Sequence, residues 1–210
     1  MRNVAFQVIV FTALFSGAGW TVAAAPTRLE SIPAPVVTDD LTKLGRGIVD
    51  VTLADEAGQA IQWNALHGRP RALFFGFTHC PVICPVTVWE LDTALKKIGK
   101  RADSVQLLFV TLDPERDTPA VMRSYFSSFG PRVRALTGTM AEIERVSKAF
   151  AVVRERVVLQ GDDYTLDHTA AVFLLDSNGA VVDTLAYGTP QDVIVKRLEN
   201  LLARTPVRKN

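Results

Sequence analysis

Two cysteines stand four residues apart in Thr78-His79-Cys80-Pro81-Val82-Ile83-Cys84-Pro85, and the chain has no others. The apolar run Ala72-Leu73-Phe74-Phe75-Gly76-Phe77 leads into them, and a helical pattern follows. Thiols placed between the end of a buried strand and the start of a helix lie at the positive end of the helix dipole. That setting favours thiolate over thiol and makes the pair reactive or metal-binding.

Three chemistries compete for such a pair. A structural disulfide is the usual fate of two lone cysteines in an exported protein, but closing so short a loop removes little chain entropy. A redox dithiol normally has Cys-x-x-Cys spacing, one intervening residue fewer than here. Redox folds of this kind also place a proline just before the next core strand, where this chain has Asp167-His168-Thr169-Ala170-Ala171. The third possibility is a metal site. Cysteines at i and i+4 at a helix start share one face, and two thiolates with an imidazole suit a soft ion such as Cu(I). Of the three histidines, His168 is the expected partner, because it immediately precedes a core strand. His79 adjoins Cys80 but points away from it at the end of an extended segment, and His67 reads as a surface-loop residue.

The elements that must position these residues alternate between strand and helix. Ile48–Leu53 and Ala60–Trp63 flank Asp55-Glu56-Ala57-Gly58 as a hairpin. Arg71–Phe77 is a buried strand, Pro85–Ile98 an amphipathic helix with Gly99 past its end, and Val105–Thr111 a second buried strand. Thr118-Pro119 supplies an N-cap with proline at the first helical position, ahead of Met122, Tyr125, Phe126 and Phe129. Arg134–Leu136 is a short strand, and Thr139-Met140-Ala141-Glu142 has the form of a capping box. Ala151–Leu159 and Ala170–Leu175 follow as strands, then a turn at Asp176-Ser177-Asn178-Gly179, a strand over Ala180–Tyr187, and a last helix from Thr189-Pro190. This order predicts an α/β fold: a thioredoxin-like mixed sheet flanked by helices, with an N-terminal β-hairpin.

Of the 210 residues, 48% are hydrophobic and 21% charged, enough for an ample core, and a net charge of +1 gives no nucleic-acid footprint. Residues 1–25 read as an export signal: Arg2, the apolar stretch Val4–Phe15, then small residues to Val22-Ala23-Ala24-Ala25. An uncleaved membrane anchor is the alternative. Either delivers the domain to an oxidising compartment, periplasmic or otherwise extracytoplasmic, soluble or tethered to the inner membrane. Residues 26–47 carry Pro26, Pro33 and Pro35 and are expected to form a linker, 48–203 the folded domain, and 204–210 a polar tail.

Four motifs in this order resemble the Sco/SenC proteins: Phe-Thr-His-Cys-Pro-Val-Ile-Cys-Pro (77–85), Leu-Asp-Pro-Glu-Arg-Asp-Thr-Pro (112–119), Leu-Thr-Gly (136–138) and Asp-His-Thr (167–169). The resemblance spans about residues 48–202. It implies a thioredoxin-fold copper protein whose ligands fall on Cys80, Cys84 and His168, holding Cu(I) and in a second state Cu(II). The implied role is assembly of the CuA centre of cytochrome c oxidase, by delivering copper or by reducing the cysteines of that site. Implied partners are the oxidase subunit carrying CuA, other periplasmic copper carriers and thiol reductants. Many relatives have an acidic residue where this chain has Val82, which makes the mouth of the site more apolar here. Asp113 is expected either to orient a ligand or to accept backbone hydrogen bonds in its loop. Arg116 and Asp117 are expected to hold that loop and cap the next helix, and Asp167 to face away from the site. Phe77, Val82 and Trp89 are expected to form a docking rim.

Overall fold

The computed structural model describes residues 40–161 and 163–204. The expected signal or anchor at 1–25, most of the linker and the tail beyond Arg204 lie outside the described residues. Among the described residues no helix is long and apolar enough to cross a membrane.

Seven strands form one mixed sheet in the order β2-β1-β5-β4-β3-β8-β9. They are β1 (Thr52–Asp55), β2 (Ala60–Gln62), β3 (Arg71–Gly76), β4 (Gln106–Thr111), β5 (Val133–Thr137), β8 (Ala171–Leu175) and β9 (Val181–Ala186). The centre, β5-β4-β3, is parallel, and its two crossovers are α1 (Ile83–Ile98) and α2 (Pro119–Phe126). β8 adds antiparallel to β3 and β9 to β8, while β1 and β2 form the expected hairpin at the other edge. This is the thioredoxin-like architecture. Every residue of β3 is buried, as a strand covered on both faces requires.

Alternation along β3 and β4 divides the core between the two faces of the sheet. Ala72, Phe74, Leu107 and Phe109 pack under α1, α2 and α4 (Gln191–Arg204). Leu73, Phe75, Leu108 and Val110 pack with Ile143, Val146 and Phe150 of the segment carrying α3 (Met140–Ala149). The local signals behave as their chemistry dictates. Thr118 accepts from Val121 N–H, Thr139 and Glu142 form a complete capping box, and Asp176 accepts from the Asn178 and Ala180 amides.

Three expectations need correction. Residues 40–47 do not behave as linker. Asp40 caps a short 3-10 turn at Leu41–Lys43, Leu44 and Ile48 are buried, and Gly45 N–H donates to the Ala149 carbonyl at 2.8 Å with its Cα against the Phe150 ring. Spaced apolar residues close enough to reach Phe150 outweigh the loop-like composition. The strand expected over 151–159 is shorter, β6 (Arg154–Val158), because Ala151 takes a positive φ of 53° as the chain turns off α3. Its partner was not anticipated: β7 (Tyr164–His168) pairs with β6 in a two-stranded ribbon separate from the main sheet, with Arg154 opposite His168. His168 therefore ends a strand rather than lying in a plain loop. Finally, α1 begins at Ile83, two residues before Pro85. Proline in the first helical turn costs nothing there, since its missing N–H has no intrahelical partner anyway.

Candidate metal centre

Cys80 and Cys84 are not two steps along one helix. Cys80 lies in the turn before α1, its N–H donating to the Phe77 carbonyl at 3.1 Å. Cys84 lies inside the first turn of the helix, and its backbone N–H points at Cys80 Sγ at 3.5 Å. Val82, at the N-cap, offers no side-chain acceptor, so the sulfur of Cys80 takes the place a capping oxygen usually fills. Both cysteines are free thiols, Cys80 8% and Cys84 2% exposed.

Gly76 makes this placement possible. A Cβ built there would lie 2.4 Å from Cys84 Sγ and 3.1 Å from the Phe109 ring, so the sulfur rests directly on the backbone of β3. Nothing in the sequence singled Gly76 out; its signal was a glycine inside an otherwise unbroken apolar strand.

The two thiols share one proton unequally. The Cys80 pKa is lowered to about 4, first because the Cys84 S–H donates to its sulfur, and further because of His168 and the backbone amides of Cys84 and Val82. Cys84 is pushed up, first by that same hydrogen bond, then by burial and the neighbouring thiolate. Near neutral pH the reduced pair is a Cys80 thiolate and a Cys84 thiol. Because the Cys80 pKa is depressed, its reaction with iodoacetamide is expected to be level between pH 6 and 8. An ordinary thiol would speed up about tenfold per pH unit over that range. Mass mapping of the modified peptide checks this, and a steep rise across the window would contradict it.

His168 reaches the pair from the end of β7. Its Nδ1 lies 3.0 Å from the Thr169 carbonyl, which can only accept, so Nδ1 carries the proton and Nε2 is the nitrogen left for a sulfur or a metal. The ring meets Phe77 edge-on, with centroids 6.0 Å apart. His168 and Cys84 border one shallow, mainly apolar cleft beside Ile83, Thr87, Ala170 and Tyr187. Cys80 stands between them in charge as well as in place: its sulfur accepts from the Cys84 amide at 3.5 Å, and His168 contributes to lowering its pKa. Among the described residues no group of three or more His, Cys, Asp or Glu side chains stands close enough together to hold a metal ion.

The remaining candidates separate clearly. His79 is exposed, its Nδ1 3.3 Å from the Thr78 hydroxyl. His67 is exposed and packs over Gly179, before the start of β3, whereas the thiols follow its end. Asp167 faces outward, as its alternation with His168 requires. Asp117 does not cap α2, a task Thr118 performs. It is fully buried and accepts from Thr78 N–H at 3.0 Å, the Thr78 hydroxyl at 2.5 Å and the Thr111 hydroxyl at 2.6 Å. Burial raises its pKa despite those donors. Asp117 thus ties the residue two before Cys80 to the end of β4. Asp113, also fully buried, accepts from Arg116 Nε at 2.5 Å and from the Tyr164 hydroxyl at 2.7 Å. It contacts no donor atom of the centre itself. Val82, in the turn between the thiols, and Trp89, further along α1, are 54% and 63% exposed, but Phe77 is only 2% exposed, so it belongs to the floor and not to the rim.

The fold that carries these residues has counterparts among proteins of known structure. ScoI of Bradyrhizobium japonicum with copper bound is 38% identical at a TM-score of 0.66, over 72% of this chain and 96% of that one. Yeast Sco1 with copper bound is 32% identical at a TM-score of 0.67, over 75% of this chain and 89% of that one. In sequence, the mouse protein SCO2 homolog, mitochondrial, is 33% identical over 199 residues, 93% of this chain and 78% of that protein. The SCO1/SenC family model matches residues 46–203, which takes in every strand and α-helix described except the final residue of α4, and by that match the chain belongs to the SCO1/SenC family.

Proposed function

We propose that this protein is an exported copper carrier that binds one copper ion through Cys80, Cys84 and His168 and assists assembly of the CuA centre of cytochrome c oxidase. The observation that carries this is the convergence of the three residues: the Cys84 amide lies 3.5 Å from Cys80 Sγ, and His168 borders the same cleft as Cys84. Two sulfurs and a neutral imidazole nitrogen form a soft donor set matched to Cu(I). Closing it needs Cys84 and His168 to draw in around Cys80. Copper-bound relatives at 32–38% identity support the same reading.

The acid–base state of the pair shapes how cargo is taken up. Cys80 is already ionised, so copper entry at neutral pH displaces chiefly the Cys84 proton. Oxidation of the two thiols to a disulfide removes both sulfur donors, so metal occupancy and redox state are coupled through the same atoms. Transfer proceeds by stepwise ligand exchange with thiols of the acceptor, the oxidase subunit that carries CuA, approaching over Val82 and Trp89. Other periplasmic copper carriers or thiol reductants would supply the metal and the electrons. The charged and apolar pattern of residues 1–25 supports export, with the domain released or tethered to the membrane.

One observation favours a second reading. A thiol with a pKa of about 4 beside a second thiol is also the equipment of a thiol–disulfide reductase acting on the cysteines of the oxidase copper site. His168→Ala separates the two. A copper carrier loses tight Cu(I) binding, by about 10- to 100-fold or more, while both thiols remain titratable. If His168→Ala binds copper as the parent protein does, the carrier reading fails; retained disulfide reduction would then favour the reductase.

A further inference from the structure

The ribbon of β6 and β7 shares no ladder with the seven-stranded sheet. A two-stranded ribbon is marginal on its own, so side-chain contacts must decide where it lies, and with it His168. Alternation along β7 puts Tyr164, Leu166 and His168 on one side and Thr165 and Asp167 on the other. Tyr164 and Leu166 are buried, and Leu166 joins the same core cluster as Cys80, Cys84 and Phe77.

Tyr164 is the most heavily engaged of the three. The Arg116 guanidinium carbon lies 3.6 Å from its ring centroid and that of Arg156 3.7 Å. Two guanidinium groups that close to one ring avoid each other only by taking opposite faces, so the ring is clamped between them. Its hydroxyl donates to Asp113 Oδ1 at 2.7 Å, and Arg116 donates through Nε to Asp113 Oδ2 at 2.5 Å and through Nη1 to the Tyr164 carbonyl at 3.0 Å. Asp113 belongs to the loop after β4, at the same edge of the sheet as the cysteines. Arg116 also lies 6.0 Å from the Phe77 ring, which meets the ring of His168 edge-on. One buried acid and one arginine thus join the foot of the ribbon to the strand edge that carries the thiols.

We propose that Tyr164, clamped between Arg116 and Arg156 and hydrogen-bonded to Asp113, is the positioning residue that holds His168 over Phe77 and at the cleft it shares with Cys84. The assignment rests on the copper-carrier reading of His168 given above. It is specific to one strand face: Tyr164 and His168 are four residues apart in extended backbone, so displacing one displaces the other, while the cysteine turn is held separately by Asp117 and Thr78.

The test is a double-variant cycle on the purified, reduced protein. Cu(I) affinity is measured by competition with bicinchoninate for the parent, Tyr164→Leu, His168→Ala and the combined variant. Tyr164→Leu is expected to weaken binding about tenfold, the lower end of what loss of a ligand-orienting partner costs. The combined variant should bind no more weakly than His168→Ala alone, because the tyrosine acts only through the histidine. Tyr164→Phe, which keeps the clamped ring and loses the Asp113 hydrogen bond, should fall between the parent and Tyr164→Leu. In the metal-free protein, amide exchange should rise across residues 154–168 of Tyr164→Leu while that of 71–76 is unchanged.

Parent-like affinity in Tyr164→Leu, with His168→Ala weakened, overturns the positioning role and leaves the carrier reading intact. So do losses that add in the combined variant. Parent-like affinity in His168→Ala overturns both. Should Tyr164→Leu fail to fold, Tyr164→Phe and Arg116→Gln carry the same cycle.

Discussion

Cys84→Ser is expected to leave no copper on the protein after desalting, where the parent retains about one ion per chain, and Cys80→Ser to do the same. A serine hydroxyl stays protonated at neutral pH and is a hard donor, so either change leaves a soft ion with one sulfur and one imidazole. The two variants should nonetheless differ in thiol chemistry. Cys80 owes its low pKa first to the hydrogen donated by Cys84. Serine can donate in its place, so Cys80 in Cys84→Ser should remain reactive toward iodoacetamide at pH 6. Cys84→Ala removes the donor, and the pH at which Cys80 becomes reactive should climb. In Cys80→Ser, the surviving Cys84 is buried on the backbone of β3 and should react slowly at any pH compatible with folding. Anaerobic Cu(I) titration with metal analysis, beside alkylation profiles, reads both effects. Retention of about one copper by either serine variant would mean that the two sulfurs are not both ligands.

Parts of this centre were legible in the sequence because each has a local chemical cause. A short apolar run bounded by turn signals reads as a strand covered on both faces, and β3 (Arg71–Gly76) is one. Thr139 with Glu142, and Thr118 with Pro119, announce helix starts through groups that satisfy specific backbone donors. The start of α1 was misplaced for the complementary reason. Val82 carries no capping oxygen, and the acceptor actually used is a sulfur from outside the helix. The β6–β7 ribbon was missed because β7, Tyr-Thr-Leu-Asp-His, alternates polar and apolar over only five residues, and its position depends on partners fifty positions away. The links from Asp113 and Arg116 to Tyr164, and from Asp117 to Thr78, join side chains that no periodicity relates. What the chain spells out locally is the pair of thiols. The His168 imidazole, the third donor proposed above, is placed by long-range contacts.

Gly76→Ala tests how tightly that pair is built. Gly76 follows Phe75 on β3, and its missing side chain faces α1, where the space is occupied by Cys84 Sγ. The added methyl would start 2.4 Å from the sulfur, whereas unstrained contacts of this kind settle near 3.5–4.0 Å. Something must therefore move by about 1 Å or more. β3 cannot retreat, since it is laddered to β4 on one side and β8 on the other. The Phe109 ring closes off sideways escape. The movable part is the first turn of α1, which is joined to the Cys80 turn by the Cys84 amide and thiol on the Cys80 sulfur and by the Val86 N–H on the Val82 carbonyl. Overpacking of this kind costs about 1–3 kcal/mol, and in a domain of this size each kcal/mol lowers Tm by about 2–4 °C. Lifting Cys84 also takes its S–H away from Cys80. Gly76→Ala should then show three linked changes: a lower Tm, a Cys80 alkylation profile shifted to higher pH, and weaker Cu(I) binding. A simple loss of packing would give the first without the other two. Thermal unfolding unchanged from the parent would show that the glycine is not what seats the sulfur.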